Sequence, residues 1–311
     1  MNYKKKILIV DDLHPAFKKR AEALGYVCDD GVLLGKEQVM AIIVDYEGLV
    51  IRTKFHVDKS LIDAATKLKF IARAGAGMDN IDEAYAQSRG IICINAPEGN
   101  RDAVAEHAIG MLLTMMNHLF KADVEVRNRI WDREGNRGWE LRGKKVALIG
   151  YGNTGQSLAR KLVGFDVEVM AYDKYKTGFS SAYVQEVSME QVVKYADILS
   201  LHIPLTRETR GLVDDEYLSH FKKPIFLLNT ARGEIVNTQS VLNAIRKEKI
   251  LGAGLDVLET EGFPALSRTS WYEELVKNER VLLSPHVAGW TFESYCKISE
   301  VLADKLEKMR P

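Results

Sequence analysis

Residues 144–162, KKVALIGYGNTGQSLARKL, constrain the fold of this chain more than any other stretch. Apolar residues 146–149 predict a short buried strand running into Gly150-Tyr151-Gly152-Asn153-Thr154-Gly155 and then a helix. The spacing is G-x-G-x-x-G. Gly150 permits the tight turn, Gly152 lets a pyrophosphate approach the backbone, and Gly155 lets the helix pack closely on the strand. Glycine-rich turns are common, so the motif draws its weight from its surroundings. A second apolar strand over residues 167–172 leads into Asp173, 18 residues after Gly155. That is where a carboxylate is needed to accept hydrogen bonds from the adenosine ribose hydroxyls. The stretch reads as a dinucleotide site rather than an ordinary strand–turn–helix with a surface acid.

The rest of the chain extends the same alternation. Strands are predicted at 7–10, 49–51, 70–72 and 91–94, with helices at 15–24, 58–65 and 82–88; the first helix ends at Gly25. Asp79 and Asn80 are expected to cap the helix that follows them. The second half predicts strands at 167–171, 198–201, 225–228, 252–255 and 281–283. Helices begin near Ser188 (Ser-Met-Glu-Gln is a capping box), Asp214 and Thr238. Short apolar strands alternating with amphipathic helices predict parallel sheets covered on both faces, an α/β architecture. A long helix over 102–126 and a polar, glycine-rich stretch mark a first domain crossing near Pro97. A last helix over 292–309 is expected to return to the first domain. At 311 residues the chain is long enough for two domains. They are expected to comprise 1–98 with 289–311, and 99–288.

Charge and cysteine content narrow the partners. Lys plus Arg and Asp plus Glu both total 43, which speaks against a nucleic-acid or anionic-membrane surface. Cys28, Cys93 and Cys296 lack metal-ligand spacing, so no metal is expected and a reducing compartment is. The basic start is followed by too short an apolar run for a secretory leader. The apolar run 108–119 is broken by Thr114, Asn117 and His118 and is too short to span a bilayer. A cytoplasmic protein is expected. The 102–126 helix carries apolar residues on nearly all faces, which predicts a twofold homodimer.

Three strand ends in the second half each deliver a residue capable of chemistry: Arg232 in LLNTARG, Glu259 and Glu261 in GLDVLETE, and His286 in LLSPHVAG. Taken singly, these are a surface arginine, loop acids and a core histidine. Together they are what reduction of a 2-keto acid requires. A cation holds the carboxylate and polarises the carbonyl, a protonated histidine delivers a proton, and a carboxylate keeps that histidine charged and oriented.

With RAGAGMDNID, INAPEGNRDAVAEH, IGYGNTG, LHIPLT, LLNTARGEIV, GLDVLETE and SPHVAG in this order, the chain resembles the D-isomer-specific 2-hydroxyacid dehydrogenase family over nearly its whole length. The likeness is closest to the phosphoglycerate dehydrogenase branch. The resemblance implies two doubly wound parallel-sheet domains, a flavodoxin-like substrate domain and a Rossmann NAD-binding domain. It implies a triad of Arg232, Glu261 and His286; Glu261 is chosen over Glu259 because the family's glutamate lies five residues after the Asp of the DV pair, here Asp256. It implies NAD contacts at Gly150, Gly152, Asn153, Thr154, Gly155, Asp173, Pro204, Thr230, Ala231, Asp256 and Gly289, with Arg232 and His286 also facing the cofactor. His202 is expected to line the cofactor cleft and His107 to be structural. Lys174 and Lys176 could attract a 2′-phosphate, but Asp173 would repel one, so NAD is expected over NADP.

For the substrate, a small 2-hydroxy or 2-keto acid, the resemblance implies that the Ala76 and Gly77 amides hold the carboxylate, with Asn100 beside it. Arg52 and Arg73 follow predicted strands of the first domain and carry two guanidinium forks suited to a phosphate, so D-3-phosphoglycerate is expected first. A hydroxypyruvate, glyoxylate or D-lactate type reductase is the second reading, and a nucleotide-sensing binding protein like the family's corepressor members the third. Two features depart from the family pattern. Gly262-Phe263 separate Glu261 from Pro264, and Trp290 stands where many relatives have a small residue, which would narrow the pocket. Because 25 residues follow His286, no C-terminal regulatory domain is expected.

Overall fold

A computed structural model describes residues 5–309. The chain divides into two compact units, one ending at Arg101 and resuming at Trp290, the other Asp102–Gly289.

In the first unit, β1 (Lys6–Ile9), β2 (Val27–Asp30), β3 (Gly48–Ile51), β4 (Phe70–Arg73) and β5 (Ile92–Ile94) form an all-parallel sheet in the order β2-β1-β3-β4-β5. This is the flavodoxin-like doubly wound order. Side chains alternate across β3, so Leu49 and Ile51 pack on one face with Leu61, Ile62 and Ala86. Val50 packs on the other face with Phe17 and Ala21 of the helix Pro15–Ala23 and Ile298, Leu302 and Leu306 of the helix Phe292–Lys308. The last helix thus packs within the first unit. Arg20 also reaches Asp304 and Glu307, at 2.5 and 2.8 Å, but these pairs are solvated and the apolar contact carries the energy. The sequence pattern missed β2, an edge strand with one buried residue, and the helix Lys36–Ile42. Asp82, not Asp79 or Asn80, caps the helix Glu83–Ser88 by accepting the Tyr85 N–H. Asn80 instead donates to the Arg52 and Phe55 carbonyls and fixes the chain leaving β3.

In the second unit, β6 (Lys145–Ile149), β7 (Glu168–Tyr172), β8 (Gln185–Glu186), β9 (Ile198–Leu201), β10 (Ile225–Asn229), β11 (Ile250–Leu255) and β12 (Val281–Leu283) pair in parallel in the order β12-β11-β10-β9-β6-β7-β8. The chain starts at a central strand, moves outward, then reverses across it, which is the Rossmann order. The expected single helix over 102–126 is two helices, Pro97–Met116 and Leu119–Arg127. They are separated by His118 in the left-handed region at φ 50. No helix among the described residues is long and apolar enough to cross a membrane.

Candidate active site

The register of the second sheet aligns its strand ends. Tyr172 pairs with Ile149, Ile149 with Leu201, Leu201 with Asn229, Asn229 with Leu255, and Leu255 with Leu283. The next residues, Asp173, Gly150, His202, Thr230, Asp256 and Ser284, therefore emerge side by side along one carboxyl edge. That edge contains the switch point between β6 and β9, where doubly wound sheets bind ligands.

Each glycine of the fingerprint has its own steric reason. Gly150 lies at φ 95, and a Cβ there would come within 2.4 Å of the His202 carbonyl oxygen. A Cβ on Gly155 would come within 2.3 Å of the Gly150 carbonyl. Gly152, the N-cap of the helix Asn153–Leu162, has no atom within 4 Å in its Cβ direction. A side chain at Gly152 would fill the space over the helix start, where the first-turn N–H groups of Asn153, Thr154 and Gly155 have no intrahelical acceptor.

Around this turn, Asp173 accepts the N–H groups of Tyr151, Tyr175 and Lys176 at 2.8, 2.9 and 3.1 Å. Lys174 pairs with Glu208 at 2.5 Å, and Lys176 donates to the Tyr151 carbonyl at 3.2 Å. His202 is bonded through Nε2 to the Ser200 hydroxyl at 2.9 Å, and burial pushes its pKa down to about 4, so it is neutral at pH 7. The Pro204 carbonyl accepts the Thr209 hydroxyl. The Thr230 hydroxyl is buried with no protein partner, and the Ala231 N–H is held by Asn229 Oδ1 at 3.1 Å. A glycine cradle above an open helix start, an acid after the second strand and an orphaned hydroxyl at the same edge fit a dinucleotide.

The three reactive residues follow the adjacent strands β10, β11 and β12. A Cβ on Gly233 would sit 1.8 Å from the Leu258 carbonyl oxygen, so the Arg232 turn lies directly against the loop leading to Glu261. His286 Nδ1 and Glu261 Oε2 are 2.9 Å apart, both about half exposed. That bond, with the nearby Glu261 and Asp256 charges, raises the His286 pKa against burial and the Arg232 charge. Glu259 is occupied elsewhere, accepting the Thr238 N–H at the start of the helix Thr238–Arg246 at 2.6 Å. Of these two glutamates, Glu261 is therefore the one paired with His286. Phe263, in the loop that departs from the family pattern, is 70% exposed, so the insertion leads outward.

His286 has a left-handed backbone at φ 56, uncommon for a non-glycine residue. Its N–H donates to the Asp256 carbonyl at 2.8 Å. The Asp256 carboxylate, 1% exposed, accepts the Ser284 hydroxyl at 2.6 Å and the Val287 and Ala288 N–H groups at 2.9 and 3.0 Å. Asp256, expected at the cofactor, thus spends its carboxylate inside the protein on the loop that carries His286. Gly289 closes that loop and the second unit. Sequence reasoning missed two side chains that bond to these loops, Asn229 and Ser284. Asn229 is fully buried and also donates to the Arg232 carbonyl at 2.9 Å. A polar residue closing an apolar strand was the available signal.

The expected substrate residues collect at strand ends of the first unit. Arg52 follows β3; its guanidinium stacks on the Trp290 ring at 4.1 Å, and Nη1 is buried without a partner. Trp290 thus lies over the Arg52 guanidinium. Arg73 ends β4 and folds over the next turn, where a Cβ on Gly75 would lie 1.6 Å from its Nη1. The Ala76 carbonyl accepts from Asn95 Nδ2 at 2.5 Å. Asn100, in the first turn of the helix Pro97–Met116, keeps a buried Oδ1 without a partner.

The model of the D-isomer specific 2-hydroxyacid dehydrogenase, NAD binding domain, matches residues 109–288. A hydroxypyruvate reductase of Thermotoga maritima is 34% identical over 275 residues, covering 88% of each protein. A D-3-phosphoglycerate dehydrogenase of Archaeoglobus fulgidus is 33% identical over 296 residues, 93% of this chain and 55% of that protein. The chain thus spans about half the length of the phosphoglycerate dehydrogenases it matches. A solved D-lactate dehydrogenase of Treponema pallidum has a TM-score of 0.79 at 26% identity, covering 97% of this chain and 95% of that one.

Proposed function

The chain belongs to the D-isomer-specific 2-hydroxyacid dehydrogenase family, and from that premise we propose that it reduces a 2-keto acid to a D-2-hydroxy acid, and runs the reverse, with D-3-phosphoglycerate as the hydroxy acid. The observation that carries the reaction is the 2.9 Å His286–Glu261 pair on the strand edge that also holds the glycine cradle. NAD, when bound, takes up or supplies the hydride. Residues 150–155 and Thr230 would hold it, and Asp173 would accept from the adenosine ribose. With Lys174 tied to Glu208, the Asp173 charge disfavours a 2′-phosphate, which supports NAD over NADP.

The protein's own groups handle the proton and the charge. Glu261 occupies Nδ1 of His286, so Nε2 is the nitrogen that delivers a proton to the substrate carbonyl oxygen. Glu261 also keeps the ring protonated to a higher pH than a free histidine. Arg232 binds the carboxylate and polarises the carbonyl. In the oxidative direction neutral His286 removes the hydroxyl proton.

The choice of substrate rests on Arg52. A buried guanidinium nitrogen without a partner is costly unless an anion pairs with it, and a plain 2-hydroxy acid has no second anion. Reduction of 3-phosphohydroxypyruvate, hydroxypyruvate, glyoxylate and pyruvate with NADH tests this. Arg52→Ala is expected to remove charge-assisted bonds worth about 1.5–3 kcal/mol, raising KM for the phosphorylated acid about 10- to 150-fold. KM for hydroxypyruvate is expected to stay put. If both substrates suffer alike, or the unmodified protein ignores the phosphorylated acid, the reductase reading replaces this one.

A further inference from the structure

His107 takes no part in the reaction as proposed, yet it lies in a chain of polar contacts ending at the loop that carries His286. It comes from the helix Pro97–Met116, with Nε2 3.0 Å from the Ser284 hydroxyl and 3.6 Å from Asp256 Oδ1. Ser284 lies 2.6 Å from the same Asp256 oxygen. A serine hydroxyl has one proton to give. Asp256 is a buried carboxylate and can only accept, so Ser284 spends its proton there. Ser284 must then accept from His107, which assigns a proton to Nε2 of that ring.

We infer that His107 and Ser284 are positioning residues for the reaction: acting through Asp256, they hold the loop that presents His286. Asp256 is the hub because three features of the loop depend on it. Its carbonyl takes the His286 N–H, and its carboxylate takes the N–H groups of the next two residues, Val287 and Ala288. A left-handed backbone at a histidine persists only when its surroundings over-determine it, and these three bonds are what fixes φ at 56. A carboxylate missing its hydroxyl donor would turn toward other donors and release one or both loop amides. His286 Nε2 would then move relative to the bound acid while the glycine cradle after β6, four strands along the aligned edge from β12, stays in place.

The inference rests on the catalytic reading of His286, and its test separates the two. His107→Leu and Ser284→Ala, in the full chain, are each expected to lower kcat for keto-acid reduction about 10- to 100-fold, as a displacement of about 1 Å at a reacting group does. NADH affinity, read by fluorescence titration, is expected to stay within about twofold, which also reports that the protein is folded. His107→Gln places an amide N–H near the position of Nε2, and Ser284→Thr keeps the hydroxyl, so both are expected to recover most of kcat. A full loss of kcat in His107→Gln as in His107→Leu, or unchanged kcat in both, overturns the inference. So does a fall in NADH affinity that tracks kcat, because that is the mark of a merely structural role. A fully active His286→Ala overturns both readings, whereas an inactive His286→Ala beside a fully active His107→Leu overturns the positioning role alone.

Discussion

The Asp173 carboxylate is held by its own turn and by the glycine turn beside it. Three backbone N–H groups occupy its carboxylate, which offers about four acceptor positions, so capacity remains for a ribose hydroxyl. Asp173→Ala is expected to weaken NADH by the worth of a charged hydrogen bond, about 1.5–3 kcal/mol, or about 10- to 150-fold in Kd. The NADH/NADPH preference should narrow at the same time, as fluorescence titration with both cofactors would report. Equal affinity for the two in the unmodified protein contradicts the assignment. The place of Asp173 beside the glycine turn was legible because its distance from Gly155 is set by the βαβ unit. Glu259 and Glu261 were not separable that way. Both are loop acids two residues apart, and what distinguishes them is that Glu259 accepts the Thr238 N–H while Glu261 meets His286.

At the scale of elements, the glycine turn was legible at Gly150 and Gly155 because its spacing encodes sterics. It yields a paired prediction. Gly155→Ala forces a Cβ to 2.3 Å from a backbone oxygen and is expected to cost about 1–3 kcal/mol in chemical denaturation. Gly152→Ala has open space and an ordinary φ of −83, so stability should hold within about 0.5 kcal/mol while NADH binding weakens. A large loss of stability in the Gly152 variant, or unimpaired NADH binding, would remove the cradle reading. Elements whose pattern is weak were lost. The edge strands β2 and β8 bury too little to alternate cleanly. The break at His118 was hidden because the polar pair Asn117-His118 also fits the solvent face of one continuous helix, and the left-handed residue there is not a glycine.

Across the whole molecule, the two parallel sheets were legible because strand–helix alternation is a local signal repeated many times. What could not be read were contacts between residues far apart in the chain, such as His107 with Ser284, or the indole of Trp290 over Arg52. Association belongs to this scale too. The helix Leu119–Arg127 buries none of its residues, and Leu119, Phe120, Val124 and Val126 lie exposed, with Ile130 and Trp131 following. An apolar face of that extent suits a twofold partner, and we propose that a second copy of the chain covers it. Sedimentation is expected to give a dimer that Phe120→Asp with Val124→Asp converts to monomer; a monomeric parent at micromolar concentration excludes it. In the proposed function, His286, held protonated by Glu261, is the acid of an NADH-dependent keto-acid reduction. Protonated His286 is the active form, so activity is present below its raised pKa and lost as pH rises through it. The most direct measurement is the pH profile of kcat/KM with NADH for the protein and for Glu261→Gln. The basic limb is expected to move to lower pH in the variant; a limb that stays where it was rules out Glu261 as the group that holds His286 protonated.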